Sequence, residues 1–556
     1  MTRTVAEAVA QTLKAYGTEH FFCMCGGDHA LWYALKDAGI RIVNCRTENA
    51  AVYMADGYAR VTGKPGFVYG QRGPGVANLA GALADPLWAM SPVVSLTSSI
   101  ALASRDRYEY QELDGLPLHD AVTRWNKSVQ APERAAAMLR AAIRAATGPA
   151  PGPVHLEIPA DMFSAETDEE IYAEEGLGRV NARRLTPDQA DLSALLDRLL
   201  KAQRPLIVAG TGTIISQAWD ALTRFAEALA IPVATTLGGK GSIAEDHPLS
   251  VGVIGRNSRR IGNDAVRDCD LVLAIGTRLG GLATHRWKLP FQDKVLLQID
   301  SDPQMLGHNY RLAQGLVADA KLALETALRD IAARKLVPAA RGWAEAMAAR
   351  VAAWRMAAAR LAEEEPDDGI HPARILAALQ RAMGPQDLIG ADTGAHGGWV
   401  GALFPVAAGR TMVRANGSLG WVFPGAMGAA LAAPGRRTVA ITGDGGMMYH
   451  IAELETALRC DIPIVVVVLN NACLASEYHT QKNHGRLVPE VLDYRDVDFA
   501  AVARAFGAFG VRVEEADGLD RAIAQAFTAG KPALIDVRTS KEAQSPSANY
   551  DATRAV

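Results

Sequence analysis

An aspartate and an asparagine follow two apolar, strand-like runs at a spacing that suits a metal site. Asp444 stands in VAITGDGGMMYH (Val439–His450), and Asn471 comes 27 positions later, as the second residue after the apolar run Ile462–Leu469. The segment between them has helical periodicity, so we predict a βαβ unit whose right-handed crossover brings both residues to one edge of a parallel sheet. Carboxylate and amide oxygens, with a backbone carbonyl such as that of Cys473, are hard ligands that suit Mg²⁺.

Magnesium keeps few protein ligands and completes its octahedron with phosphate oxygens and water. We therefore expect Asp444 to hold a metal ion that in turn holds a diphosphate. The glycines beside it, Gly443, Gly445 and Gly446, would let the backbone come close to a bulky ligand.

The elements that must position these residues alternate between strand and helix patterns along the whole chain. This alternation predicts an α/β fold with three doubly wound parallel-sheet domains, because 556 residues exceed what one core supports. Changes in composition place the domains at 1–165, 185–336 and 365–540, followed by a polar tail at 541–556. The N-terminal segment reads as an amphipathic helix capped by Thr4, and Ile462–Leu469 reads as a buried parallel strand.

Composition limits the class of partner. Apolar residues make up 49% of the chain, and the formal net charge is -4 with no long basic stretch. These values favour neither nucleic acid nor a membrane, so we expect a small-molecule substrate and a cytoplasmic location. Cys23 and Cys25 form a CxC without a second pair, so the six cysteines are predicted to be buried free thiols rather than a zinc site.

Further motifs extend from the first block to the last. They include RTENAAVYMADGYARVTGKPG, RGPGVANLAGALADPLWAMSPVVSLT, GPVHLEIPADM and IPVATTLGGKGSIAEDHPLSVGVIG. Together with GDG and NN at their spacing, these segments resemble the thiamine diphosphate enzymes of the acetohydroxyacid synthase and pyruvate decarboxylase superfamily. The resemblance covers nearly the whole chain. It implies an N-terminal pyrimidine-binding domain, a central domain and a C-terminal diphosphate-binding domain.

The resemblance assigns roles to several cofactor-binding residues. It makes Glu48 the carboxyl that protonates the aminopyrimidine ring, and its apolar surroundings in AAVYMA are expected to raise its pKa by desolvation. Leu419, in NGSLGWVFPGAMGAAL, would support the bent cofactor. Gly394 and His396, in ADTGAHGGW, would lie near the diphosphate, although a structural histidine is an equal alternative.

Substrate residues follow two different patterns within the superfamily. Gln111 matches a glutamine near the substrate of the synthases, whereas Glu477 and Asp28 match catalytic carboxyls of the decarboxylases. The paired histidines of the decarboxylases have no counterpart, and His29 and His119 are candidates to replace them. We therefore expect a lyase or carboligase acting beside the carbonyl of a 2-oxo acid.

Other readings stay open. The chain could instead resemble a 2-hydroxyacyl-CoA lyase or an oxalyl-CoA decarboxylase, or it could be a noncatalytic cofactor-binding subunit. FAD or an adenine nucleotide could bind the central domain, but Gly280 stands where the synthases have an acidic FAD contact and Gly397 replaces a glutamine. The resemblance also implies a homodimer or homotetramer, with substrates among 2-oxo acids, aldehydes and acyl-CoA. The C-terminal tail could act as a lid.

Overall fold

The computed structural model of the chain describes residues 2–256, 258–338 and 340–546. Residues 547–556, most of the predicted tail, lie outside the described part. The strands are β1 (Arg3–Thr4), β2 (His20–Cys23), β3 (Arg41–Asn44), β4 (Gly66–Gly70), β5 (Val93–Ser99), β6 (Asn126–Ser128), β7 (Val154–Pro159), β8 (Glu166–Thr167), β9 (Pro205–Ala209), β10 (Val233–Thr235), β11 (Ser250–Val253), β12 (Leu271–Ile275), β13 (Val295–Asp300), β14 (Gln314–Val317), β15 (Leu388–Ala391), β16 (Met412–Arg414), β17 (Thr438–Gly443), β18 (Val465–Asn470), β19 (Phe509–Val513) and β20 (Ala533–Arg538).

Helices connect the strands throughout. They are α1 (Val5–Ala15), α2 (His29–Asp37), α3 (Glu48–Thr62), α4 (Pro74–Ala82), α5 (Ala84–Ala89), α6 (Leu116–Asp120), α7 (Ala135–Thr147), α8 (Gln189–Leu199), α9 (Thr211–Ile215), α10 (Trp219–Leu229), α11 (Arg260–Asp268), α12 (Ala320–Arg334), α13 (Arg341–Arg360), α14 (Pro372–Ala382), α15 (Ala395–Leu403), α16 (Val422–Ala432), α17 (Asp444–His450), α18 (Glu453–Arg459), α19 (Ala475–Asn483), α20 (Phe499–Phe506) and α21 (Leu519–Thr528). Short 3-10 turns lie at Leu102–Ser104, Pro132–Arg134, Met162–Ser164, Leu237–Gly239, Phe291–Asp293, Pro303–Met305, Leu361–Glu363, Pro489–Val491 and Ala516–Gly518.

The strands form three six-stranded parallel sheets, which confirms the predicted fold class. Their orders are β3-β2-β4-β5-β7-β6, β11-β10-β9-β12-β13-β14 and β16-β15-β17-β18-β20-β19. Each sheet changes strand order in its middle, so helices cover both faces as in doubly wound folds. A short antiparallel pair, β1 with β8, ties the N-terminus to the segment after the first sheet.

The described residues group into two compact units. The first holds the residues up to Arg183 with Ala415–Thr438 and Tyr449–Ile464, and so contains the first sheet, α16 and α18. The second holds Arg184–Arg414, Val439–Met448 and the described residues from Val465, which include almost all of the other two sheets. The three domain boundaries drawn from sequence stay a prediction.

Two local predictions are confirmed. Thr4 caps α1 through a capping box, in which Glu7 N–H donates to Thr4 Oγ1 at 3.2 Å and Thr4 N–H donates to Glu7 Oε2 at 2.7 Å. The strand β18 is buried along its full length, as its run of β-branched residues predicts. Among the described residues, no helix is long and apolar enough to cross a membrane.

The cysteines differ from expectation at one position. All six are free thiols, and five are buried, but Cys25 is exposed because it follows the last residue of β2 into a loop. A CxC pattern that straddles a strand end places its two thiols in different surroundings.

Helices α3 and α16 pack with unusually close backbones in the first unit. A Cβ at Gly57 would lie 1.8 Å from the carbonyl oxygen of Gly425, and one at Gly428 would lie 1.9 Å from that of Met54. Glycine is therefore required at this crossing because no larger residue fits without moving backbone.

Substituting Gly57→Ala is expected to lower stability by about 1–3 kcal/mol, because the added methyl group has no space. Gly81→Ala is the matched control: it is also helical, but a Cβ there would meet no atom within 4 Å. The control should be neutral or up to about 1 kcal/mol more stable. Thermal unfolding midpoints of both variants test this, and equal midpoints would contradict it.

Candidate functional site

Asp444 lies where β17 ends and α17 begins. In the third sheet β17 pairs directly with β18, and Gly443 is opposite Leu469 in the register. The carboxyl ends of these two strands therefore lie side by side, with Asp444 after one and Asn471 after the other. This is the edge at which open parallel sheets bind ligands.

The Asp444 carboxylate is almost fully buried and is held by backbone N–H groups. Gly445 N–H donates to Oδ1 at 2.7 Å, and Cys473 N–H donates to Oδ2 at 3.1 Å. Burial raises its pKa to about 6, while N–H groups of Gly445, Cys473, Ala472 and Asn471 act in the opposite direction. The chain thus holds a desolvated anion whose position is fixed by its own backbone, which favours a bound cation.

The two asparagines at the end of β18 have different environments. Asn470 is fully buried, and its Nδ2 donates to Asp536 Oδ1 and to the carbonyl oxygen of Val497, both at 2.9 Å. Asn471 lies one residue past the strand and is half-buried. The side chain of the first asparagine is used inside the fold, whereas the second, the predicted metal ligand, is partly open to solvent.

Cys473 presents backbone rather than sulfur to the site. Burial raises the pKa of its thiol to about 12, so a thiolate ligand is disfavoured at neutral pH. Its N–H already holds Asp444, and its carbonyl oxygen is the expected metal ligand.

The glycines around Asp444 are constrained by the chain's own side chains, which the sequence did not predict. A Cβ at Gly446 would lie 2.4 Å from Thr442 Oγ1 and 2.5 Å from Asp392 Oδ2. A Cβ at Gly443 would lie 3.3 Å from His396 Nδ1. These glycines make room for Asp392 and His396, which stand behind the turn.

His396 packs against the aspartate turn and contributes an unpaired ring nitrogen. A Cβ at Gly394, whose φ is 132°, would lie 2.8 Å from His396 Cε1, so the ring sits directly on this turn. Burial lowers the pKa of His396 to about 4. A hydrogen bond to the Thr393 backbone acts in the opposite direction but is the smaller effect. Its Nε2 is buried and has no hydrogen-bond partner among the residues that the structure describes.

These features fit a metal ion that carries a diphosphate. A buried anion and oxygen ligands at the end of a parallel sheet match that ligand chemistry. The described residues contain no group of three or more His, Cys, Asp or Glu side chains that could hold a metal ion. Amide, carbonyl and ligand oxygens would therefore have to complete the coordination of Asp444.

In the first unit, Glu48 is the first residue of α3 and is less enclosed than predicted. Its carboxylate is half-buried and accepts a hydrogen bond from Asn78 Nδ2 at 3.0 Å. A Cβ at Gly75 would lie 3.2 Å from its Oε1. The apolar residues that follow Glu48 face the core, whereas the first helical position points past the helix end.

A second polar group in this unit surrounds Asp28. The side chain is buried and accepts a hydrogen bond from the Tyr69 hydroxyl, whose oxygen lies 2.9 Å from Ser98 Oγ. Burial raises the pKa of Asp28, and Arg72 is among the charges that lower it. The Arg72 Nε atom is buried and without a hydrogen-bond partner in the described chain. No sequence motif singled out Tyr69, Ser98 or Arg72, although each lies at or just past the end of a strand.

Gln111 is held beside the turn that follows β4. Gln71 Nε2 donates to its Oε1 at 3.2 Å, and its backbone has a positive φ of 64°. Left-handed backbone at a non-glycine residue is strained and is often found at functional sites.

The two candidate histidines have different surroundings. His29 is exposed and stacks on Tyr33 at a centroid distance of 6.4 Å. His119 is fully buried and stacks on His155 at 3.7 Å, and burial lowers its pKa. His119 is thus enclosed in the core of its unit.

Glu477 and Leu419 occupy accessible positions. Glu477 is exposed on the first turn of α19. Leu419 is half-buried and follows a loop whose backbone is fixed by Asp85, which accepts N–H bonds from Asn416 at 2.9 Å and Ser418 at 3.1 Å. The contact of Asp85 with this loop had no sequence signal because Asn416 and Ser418 lie more than 300 residues away.

Three family models match the chain. They are described as the thiamine pyrophosphate enzyme N-terminal TPP binding domain over residues 3–118, the central domain over residues 192–327, and the C-terminal TPP binding domain over residues 392–537. The N-terminal match contains Asp28, Glu48 and Gln111, and the C-terminal match contains Asp444 and Asn471.

Curated relatives match along almost their whole length. A probable acetolactate synthase large subunit of Methanocaldococcus jannaschii is 32% identical, over 96% of this chain and 91% of the relative. A sulfoacetaldehyde acetyltransferase of Castellaniella defragrans is 30% identical, over 98% and 94%. The acetolactate synthase isozyme 2 large subunit of Escherichia coli is 29% identical, over 96% and 95%.

The neighbouring asparagines offer a matched test of the metal site. We expect Asn471→Ala to weaken Mg²⁺ binding in the presence of thiamine diphosphate at least about 10-fold, because one oxygen ligand is lost. Asn470→Ala should instead lower stability by about 1–3 kcal/mol, since it leaves buried acceptors unpaired. Calorimetric titration and denaturant unfolding measure the two effects. Wild-type metal affinity in Asn471→Ala would contradict its assigned role.

Proposed function

This chain belongs to the thiamine pyrophosphate enzymes, and we propose that, with Mg²⁺, it breaks or forms the C–C bond beside the carbonyl of a 2-oxo acid. It is a thiamine diphosphate-dependent enzyme that acts on C–C bonds of small molecules. The identity of donor and acceptor, the metal ion and the assembly are parts of the proposal.

The observation that carries the proposal is the buried Asp444 carboxylate at the edge of the third sheet. A desolvated carboxylate fixed by backbone N–H groups supports a permanent cation at this position. With Asn471 and the Cys473 carbonyl, Asp444 would hold Mg²⁺ against the diphosphate, and His396 would lie beside that site.

Thiamine diphosphate, when bound, would supply an acidic thiazolium carbon as the nucleophile and a ring that can take up the electrons of the broken C–C bond. Glu48 would hold a proton at the ring nitrogen of the aminopyrimidine, and its half-buried carboxyl is accessible for that contact. Leu419 would support the bent shape of the cofactor.

Proton transfer to the substrate is assigned to Asp28 and Glu477. Burial raises the pKa of Asp28, which favours a carboxyl that gains and loses a proton nearer neutral pH. Glu477 is exposed on α19, so its carboxyl is open to solvent and would contact an incoming substrate. Gln111 and His29 would orient the substrate.

The charge beside Asp28 supports an anionic substrate. Arg72 acts electrostatically on Asp28 and has a buried Nε without a partner in the described residues. A guanidinium in that state suits the carboxylate of a 2-oxo acid. This favours a donor that loses its carboxylate as CO₂ over an uncharged aldehyde donor.

A second candidate, a lyase acting on acyl-CoA, is favoured by a basic surface in the second unit. Burial lowers the pKa of His285, and nearby positive charges lower it further; these charges are Lys288, Arg256, Arg267 and Arg286. Trp287 is exposed in the same loop. Basic groups beside an exposed indole suit the phosphates and adenine of CoA, of an adenine nucleotide or of FAD. A Cβ at Gly280 would meet no atom within 4 Å, so a side chain would fit there, but this chain has glycine where the synthases have an acidic FAD contact.

The family resemblance supports the proposed assembly. It places the activating glutamate and the diphosphate site on different subunits, so we propose a homodimer or homotetramer. The amphipathic N-terminal segment, which lacks the continuous apolar stretch of a signal peptide, supports a location in the cytoplasm. A noncatalytic cofactor-binding subunit is disfavoured because it would have no need of both Glu48 and the buried Asp444.

Turnover tests the proposal directly. With thiamine diphosphate and Mg²⁺, the wild-type enzyme should release CO₂ from a 2-oxo acid, whereas release of aldehyde or formyl-CoA from a 2-hydroxyacyl-CoA thioester would select the second candidate.

Glu48→Gln should fold normally and lose about 10²–10⁴-fold in turnover, because an amide cannot supply the proton. Glu133→Gln, at an exposed position in the same unit, is the control and should retain full activity. Near-normal turnover in Glu48→Gln would refute the role of Glu48.

A further inference from the structure

The position of Glu48 depends on the short turn between β3 and α3. Glu48 is the first helical residue, and Thr47 is the N-cap. The first N–H groups of any helix lack partners within the helix, so the turn is held only if other groups accept from them. The side chains that accept hydrogen bonds from these N–H groups therefore also fix the position of the Glu48 carboxyl.

The local sequence supplies only part of this cap. Thr47 Oγ1 accepts the N–H of Ala50 at 3.1 Å. In α1 the glutamate at the third helical position, Glu7, reaches back to the N-cap N–H and completes a reciprocal capping box. In α3 that position is Ala50, which has no side-chain acceptor.

Glu453, about 400 residues later in the chain, supplies the missing acceptor. It is the first residue of α18 and is 1% exposed. Its Oε1 accepts the N–H of Arg46 at 2.9 Å, and the N–H of Thr47 also hydrogen-bonds this carboxylate. Its Oε2 accepts the hydroxyl of Thr456 at 2.7 Å, which fixes the side chain from the other end.

Other side chains of α18 and the turn strengthen the same contact. Arg459 donates to the carbonyl oxygen of Asn44, and Arg41 donates to that of Cys460. Glu455 forms an ion pair with the Arg46 guanidinium at 3.5 Å. The contact therefore extends over the whole segment from β3 to the start of α3, and of the three α18 side chains Glu453, Glu455 and Arg459 it is Glu453 that accepts backbone N–H groups at the helix cap.

We propose that Glu453 is a positioning residue for the activating carboxyl of Glu48, acting as the third-position glutamate of a capping box whose two halves come from distant parts of the chain. The inference rests on the proposed role of Glu48. Removing the Glu453 carboxylate leaves two backbone N–H groups without acceptors and loosens the first turn of α3. The Glu48 carboxyl then lies in its working position for a smaller fraction of the time.

Four variants separate this role from simple loss of structure. Glu453→Ala removes the distant half of the cap, and Glu453→Gln keeps the shape and one acceptor oxygen. Glu455→Ala is the matched control, since it removes an equal charge from the same helix and also touches Arg46, but through the side chain only. Glu48→Gln tests the proposed function itself.

Two readouts other than turnover are measured. The first is amide hydrogen exchange of residues 46–50 in the cofactor-free protein. The second is the rate at which the thiazolium C2 proton of bound thiamine diphosphate exchanges with solvent deuterium. Cofactor affinity in the presence of Mg²⁺ is measured alongside.

Glu453→Ala should speed amide exchange at residues 46–50 and slow C2-proton exchange about 10- to 100-fold, since displacing a catalytic group by about 1 Å has effects of that size. Glu453→Gln should be intermediate, and Glu455→Ala should stay within about twofold of wild type by both measures. Cofactor affinity should change less than the C2 rate.

The outcomes separate the two hypotheses. Slow C2 exchange in Glu48→Gln with wild-type C2 exchange in Glu453→Ala would overturn the role of Glu453 alone. Wild-type C2 exchange in Glu48→Gln would overturn the proposed role of Glu48. If Glu453→Ala does not fold, Glu453→Gln decides by the same two measurements, and unchanged amide or C2 exchange in it would overturn the inference.

Discussion

A carboxylate buried at the carboxyl ends of two parallel strands is the constraint on which the candidate site depends. Asp444 is 6% exposed, and its oxygens accept backbone N–H groups from its own turn and from the turn after β18. Those donors fix its position but carry no full positive charge. The free energy of desolvating the anion is best offset by a cation held at the same place. The pairing of β17 with β18, the buried hydrogen bonds of Asn470 and the tight glycine turn all help to hold the Asp444 carboxylate in place.

Carboxylates that accept backbone N–H groups recur in the first unit. Asp85 fixes the loop before Leu419, and Glu453 fixes the turn before Glu48. The two carboxylates, Asp85 and Glu453, are buried. The residues assigned to the cofactor, Leu419 and Glu48, are half-buried. The rigid part of each pair is therefore separate from the accessible part, an arrangement that preorganises a site without enclosing it.

The sequence predicted the features that follow from local patterns. The period of hydrophobic residues predicted the βαβ unit that brings Asp444 and Asn471 to one edge, and the Thr4 cap and the buried β18 followed from short motifs. It did not predict that Gly443 and Gly446 make room for His396 and Asp392, that Glu48 is half-buried, or that His119 stacks on His155. These features depend on contacts between residues far apart in the chain, which no local pattern encodes.

The most direct measurement is the binding of thiamine diphosphate to the wild-type protein and to Asp444→Asn, titrated with and without Mg²⁺. The account predicts that wild-type binding requires the metal ion, and that both its removal by a chelator and the Asp444→Asn change weaken binding by about 100-fold or more, since each removes a buried charge pair worth several kcal/mol. Equal binding by both proteins, with or without Mg²⁺, would contradict it.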